Sequence, residues 1–185
     1  QQLSLYAEYP AEYFDHNHYG PVFALVIAPF AIVPESVGLV LWLLALSLGM
    51  YYAVRKLPLE QGKQIFLYWF CAHELLTALQ MQQFNIAIAA IIIGTFAAIE
   101  RGREATAAFL IILGTFVKLY GIVGLAFFFF VKRKPRFILA LVGWSVLCFV
   151  APMLLSSPDY VVGQYIEWFT RLAAKNGENT FSLMQ

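Results

Sequence analysis

Residues 36–54 run for nineteen positions without a single charge. About 20 apolar helical residues cross the ~30 Å hydrocarbon core of a bilayer. A run of this length therefore dictates a helix that spans lipid or one that is buried on all sides. The rest of the chain decides between these. Of its 185 residues, 61% are hydrophobic and only 12% charged. A soluble domain carries about 25% charged residues, and half that number leaves too little polar surface to cover it. Soluble globular, disordered, collagen-like and coiled-coil folds are excluded, and the expected class is an all-α, polytopic membrane helical bundle. A net charge of +1 with no basic stripe speaks against nucleic acid as a partner. Cys71 and Cys148 each lie within an apolar stretch and read as unpaired small hydrophobes.

Further apolar stretches follow. Residues 19–34 form a short candidate span interrupted by Pro21 and Pro29, and residues 64–80 one interrupted by His73 and Glu74. Residues 85–99 are uninterrupted, residues 105–131 are broken by Lys118 with Gly114, Gly121 and Gly124 around it, and residues 137–155 are again uninterrupted. Residues 156–180 are more polar, with an amphipathic helix expected near 165–172. No signal peptide is visible, and the ends read as those of a piece of a longer polytopic protein. The expected organisation is one transmembrane domain: residues 1–18 ending an outer loop, 19–155 in the membrane, and 156–185 an outer amphipathic segment.

Orientation follows from Lys and Arg in short loops. The basic loops 100–104 and 132–136 both belong on the cytoplasmic side. Residues 105–131 must then go out and return as two short segments meeting at 118–121. Irregular backbone at such a depth is tolerated only where protein or a wet cavity surrounds it. For residues 64–80, the His73–Glu74 pair favours a segment that stays on or dips into the outer face. Residues 1–18, 55–84, 118–121 and 156–185 would then gather on one face, with Arg55 and Lys56 violating the charge rule.

Ionisable and amide groups at membrane depth are costly and mark function or a buried pair. Asp15, His16 and His18 precede the first apolar stretch; they suit a general base, metal ligands or phosphate contacts, or an ordinary interfacial loop. The stretch 80–85, with Gln83 and Asn85, offers amides for sugar hydroxyls or a cap for the helix that starts there. Lys118 stands among apolar neighbours with no acid at helical spacing. It calls for an anion, a carbonyl cluster or an aqueous cavity, unless it snorkels from a helix end.

Four fragments in order carry a resemblance. Tyr19, Gly20 and Pro21 lead into an apolar segment with Pro29 and Pro34; Gln83, Phe84 and Asn85 open a span; Gly114 to Tyr120 includes Lys118; and a basic loop precedes a span ending near Pro152. Over residues 5–160 the chain resembles glycosyltransferase family 87, polyprenol-phosphate-sugar-dependent mannosyl- and arabinosyltransferase-like proteins of the GT-C superfamily. It departs from the family pattern at Gly20, Gln82 and Gly121. The resemblance implies transfer of a hexose or pentose, mannose-like, from a polyprenyl-phosphate sugar to a glycan or glycolipid acceptor hydroxyl. The transfer would occur on the external, periplasmic face of a plasma (inner) membrane. It assigns Lys118 and Tyr120 to the donor phosphate, Tyr19, His16, His18, Gln83 and Asn85 to sugar or acceptor, and apolar grooves to the prenyl chain. The catalytic carboxylate is expected upstream of residue 1, with Asp15 as second choice. No cofactor is required by this reading, and a divalent metal stays open. The rival readings are a transporter or flippase of a lipid-linked or small polar solute, since broken spans around polar groups also describe transporters, and a non-catalytic membrane subunit.

Overall fold

The computed structural model describes residues 3–7, 9 and 17–178. Among them the secondary structure is helical, with no β-strand. The order is α1 (Phe23–Ala31), α2 (Glu35–Arg55), α3 (Gln61–Phe70), α4 (Ala72–Gln80), α5 (Asn85–Glu100) and α6 (Glu104–Val117). A 3-10 segment (Leu119–Phe130), α7 (Lys134–Val150), a 3-10 turn (Ala151–Leu154) and α8 (Pro158–Glu178) complete it.

The helices α2 and α5 lie side by side and point the same way. Trp42 stacks on Phe84 just before α5 at a ring separation of 5.8 Å. Beyond the other end of α5, Arg101 Nη2 donates to the Lys56 carbonyl at 2.9 Å. These contacts define two ends of the bundle: a junction end at Trp42 and Phe84, and a basic end at Lys56 and Arg101. From the basic end α6 rises to the junction end, and the 3-10 segment doubles back along it. Three residues per turn put Gly121 and Gly124 on one line of that segment, and they are its buried residues. A Cβ at Gly121 would collide with the backbone of Gly114 and Thr115, and one at Gly124 would press on Ile111. The glycines thus let two backbones approach where side chains would hold them apart. Val131 then packs with Ile99, Ala107 and Phe137 at the basic end.

Two expectations need correction. The stretch 19–34 supplies only the nine-residue α1, about 13 Å long at 1.5 Å per residue, too short to run the length of the bundle. Pro34 breaks the path, and the Phe30 carbonyl sits directly on Gly38 of α2, so both ends of α1 stay near the junction end. Nor do residues 55–84 gather on one face. Gln64 accepts from Arg55 and donates to the Leu57 and Leu59 carbonyls at the basic end. Tyr68 then meets Tyr51, and α4 delivers Gln82 to the junction end. The stretch is one kinked traverse, interrupted at Cys71 between α3 and α4. Cys71 donates to the Leu67 carbonyl and accepts from Leu75, so backbone hydrogen bonding runs through the kink and the chain does not turn back at His73 and Glu74. Arg55 and Lys56 therefore lie at the same end of the bundle as Arg101.

The outer wall is apolar. Leu139, Val142, Val146 and Leu147 along α7 are each more than half exposed. Two helices, Glu35–Arg55 and Lys134–Leu154 with the 3-10 turn included, are long and apolar enough to cross a membrane. At the junction end α8 is longer than the expected 165–172. It buries Val161, Tyr165 and Trp168 at helical spacing against Tyr6.

Candidate functional site

The site grows from the interruption at Lys118. Here α6 ends, and Lys118 adopts an extended conformation (φ −149°, ψ 122°) before the 3-10 segment begins. Its amide still donates to the Gly114 carbonyl at 2.8 Å, and its carbonyl accepts from Gly121 at 3.0 Å. The break therefore leaves no orphaned peptide group at Lys118 while turning its side chain out of the helix register.

The ammonium Nζ donates to Asn85 Oδ1 at 2.7 Å. It also lies 5.6 Å from the ring centroids of both Tyr19 and Tyr120, within reach of a cation–π attraction. The Asn85 amide nitrogen in turn donates to Gln83 Oε1 at 2.7 Å. Lys118 being donor-only, the Asn85 oxygen must face it and the Asn85 nitrogen must face Gln83. Asn85 does not cap its own helix. Asn85 and the two tyrosine rings thus orient the Lys118 ammonium at the mouth of the bundle.

Tyr19 reaches the cation because its loop is tied down from three sides. Gly20 N donates to the Val117 carbonyl at 2.9 Å, the Tyr6 hydroxyl donates to the Tyr19 carbonyl at 2.8 Å, and Trp168 Nε1 donates to the His18 carbonyl at 3.1 Å. A Cβ on Gly20 would strike the Phe116 carbonyl, so only glycine allows this close approach. Burial pushes the Tyr6 hydroxyl above the usual phenol range, with Tyr165 beside it adding to the shift. Tyr19 also stacks on Phe23 at 4.3 Å and meets Phe84 edge-on.

On the same wall opens a cleft of about 530 Å³ whose lining includes Tyr19, Phe23, Phe30, Glu35, Trp42 and Gln82. Gln82 takes a left-handed conformation, φ 54°, and its carbonyl accepts from Trp42 Nε1 at 3.4 Å. Aromatic faces with a carboxylate and an amide at the rim suit a polyhydroxylated ring, which offers apolar C–H faces and hydroxyl edges.

Of the candidates read from the sequence, Lys118, Asn85, Gln83, Tyr19 and Tyr120 share this neighbourhood. His18 contributes its carbonyl to the loop's anchoring. Asp15 and His16 lie outside the described residues. Gln82 belongs to the polar stretch 80–85 read from the sequence, whereas Glu35, Tyr6 and Trp168 stand in none of the motifs. Trp168 has a signal in the amphipathic pattern of its helix; the other two depend on tertiary packing that no local pattern announces. Among the described residues no three His, Cys, Asp or Glu side chains come together as a metal site would need.

The fold and the site together define an all-helical protein with an apolar outer wall and a polar, cation-bearing mouth. The model of glycosyltransferase family 87 matches residues 17–185, nearly the whole chain, and the chain belongs to that family. It is a glycosyltransferase, and the family's members are membrane proteins. No curated protein and no solved structure matches the chain significantly.

Proposed function

We propose that the chain transfers a hexose or pentose from a polyprenyl-phosphate sugar to the hydroxyl of a glycan or glycolipid acceptor, within a GT-C-like, multi-pass bundle whose junction end faces the outside of a plasma (inner) membrane. The observation that carries this reading is the Lys118 ammonium held by Asn85 between two tyrosine rings. Collection of Lys56, Arg101 and the 132–136 loop at the opposite end supports the orientation through the positive-inside rule.

The acceptor oxygen attacks the anomeric carbon as the bond from that carbon to the phosphate oxygen breaks. A carboxylate of the outer loop takes the acceptor proton; Asp15 is the candidate this chain offers. The leaving group is a polyprenyl phosphate monoester, and Lys118 offsets its growing negative charge. Tyr120 and Tyr19 hold the ammonium in place and flank the phosphate. Gln83 and Asn85 contact sugar hydroxyls, and the cleft beside Tyr19 takes a sugar ring against Trp42 with Glu35 and Gln82 at its rim.

Removing a preorganised group that stabilises transition-state charge lowers kcat about 10²–10³-fold. Lys118→Met in the whole protein should show that loss with radiolabelled polyprenyl-phosphate sugar, and Lys118→Arg should recover part of it. Unaltered turnover by Lys118→Met would overturn the assignment.

A further inference from the structure

A second cavity, of about 520 Å³, lies between α2, α5 and α6 and shares only Phe30 and Trp42 with the cleft beside Tyr19. Its lining includes Gly49, Ala53, Ala90 and Gly94, whose small side chains leave a furrow where three helices would otherwise close on one another. Trp42 and Phe84 bound it at the junction end, while Lys56, Arg101 and Arg103 line it at the basic end. From Trp42 to Lys56 the helix rises about 21 Å at 1.5 Å per residue, longer than one leaflet's share of a ~30 Å hydrocarbon core.

We propose that this groove holds an acyl chain of an anionic phospholipid whose headgroup phosphate rests on Lys56, Arg101 and Arg103. The apolar furrow alone would accept any lipid tail; the charge at its basic end selects the headgroup. Arg101 donates to the Lys56 carbonyl, and Lys56 Nζ sits 5.0 Å from the Tyr52 ring centroid, so two of the three cations are held beside the groove. Among the described residues no carboxylate lies within ion-pair distance of any of the three, Glu100 and Glu104 beside Arg101 and Arg103 in sequence included. Basic pockets between membrane helices on the positively charged side are recognised sites for anionic headgroups. The prenyl chain of a sugar donor is a poorer occupant. A donor phosphate at Lys118 lies at the opposite end and would leave these cations unmatched. This site is independent of the donor and acceptor proposed above, and its test does not use activity.

The test is direct binding to the whole protein in detergent, read by native mass spectrometry. Phosphatidylglycerol and phosphatidylcholine with identical acyl chains are added at equal concentration. Each cation near an anionic surface favours binding several-fold, so the three together predict a preference for phosphatidylglycerol of about tenfold to a hundredfold. Replacing Lys56, Arg101 and Arg103 together by Gln should abolish the preference while leaving some binding of both lipids. Gly94→Leu should reduce binding of both, because a Cβ there meets only the tip of the Leu110 side chain, at 3.3 Å, and the larger side chain fills the groove without striking backbone. Equal binding of the two lipids by the unaltered protein would overturn the proposal, as would a preference that survives the triple substitution. Displacement of bound phosphatidylglycerol by equimolar polyprenyl phosphate would overturn it too, by giving the groove to the prenyl chain.

Discussion

Gly121→Ala is a small change that the packing of the 3-10 segment on α6 leaves no room for. The new methyl would meet the Gly114 carbonyl carbon and the Thr115 nitrogen, which are backbone atoms of α6 and cannot swing aside as a side chain can. Overpacking of this kind costs about 1–3 kcal/mol, and the absence of a flexible neighbour places Gly121→Ala at the upper end. Two other glycines give a graded comparison. At Gly124 a Cβ stands 2.7 Å from Ile111 Cγ1, a side-chain atom that can shift, so the cost is smaller. At Gly143 in α7 nothing lies within 4 Å, and Ala in a helix gains about 0.5–1 kcal/mol over Gly. For a chain of this size 1 kcal/mol corresponds to about 2–4 °C in Tm. Thermal unfolding of the purified protein in one detergent should therefore give Gly121→Ala a Tm about 4–10 °C below the unaltered protein. Gly124→Ala should fall between, and Gly143→Ala at or above the unaltered value. A Tm for Gly121→Ala equal to that of Gly143→Ala would refute the close approach of the 3-10 segment to α6, and with it the geometry that presents Lys118.

Cysteines introduced at Gln82 and at Leu119 should react with an impermeant reagent from the same side of sealed vesicles, whereas one at Leu57 should react only after permeabilisation; labelling of all three together would break the assignment of ends. Tyr6 gives a pH signature. Burial raises its pKa in the fold, so the folded state keeps the proton where the unfolded chain has lost it. The corresponding stability is full below pH ~10, the usual phenol value, and falls as pH rises above it. Tm measured from pH 8 to 11 should drop more steeply above pH 10 for the unaltered protein than for Tyr6→Phe, which instead loses about 1 kcal/mol at all pH values with its hydrogen bond to Tyr19.

Several features of the fold were readable from the sequence because they follow from composition and charge. The helical class follows from long apolar runs, and the return of the chain at Lys118 from two basic loops that belong on one side. The path of residues 19–34 was not readable. Hydropathy counts apolar residues without knowing that Pro34 and the contact of Phe30 with Gly38 fold α1 back against α2. For residues 64–80 the His73–Glu74 pair weighs against a traverse, yet α3 and α4 together run from one end of the bundle to the other. The site divides the same way. Lys118 and Asn85 stand out as polar groups at the edges of apolar runs, and the family resemblance adds Tyr19 and Tyr120. The anchoring of the Tyr19 loop by Trp168 joins residues 150 positions apart, and such pairings leave no local trace.

The central claim is that Lys118 receives the phosphate of a lipid-linked sugar. It is tested most directly by an electron cryomicroscopy structure of the whole protein with an unreactive phosphonate analogue of a polyprenyl-phosphate sugar. The account predicts a phosphonate oxygen about 3 Å from Lys118 Nζ, at charge-assisted hydrogen-bond distance, with the sugar directed into the cleft beside Tyr19. A headgroup bound away from Lys118, with the ammonium still resting on Asn85, would contradict it.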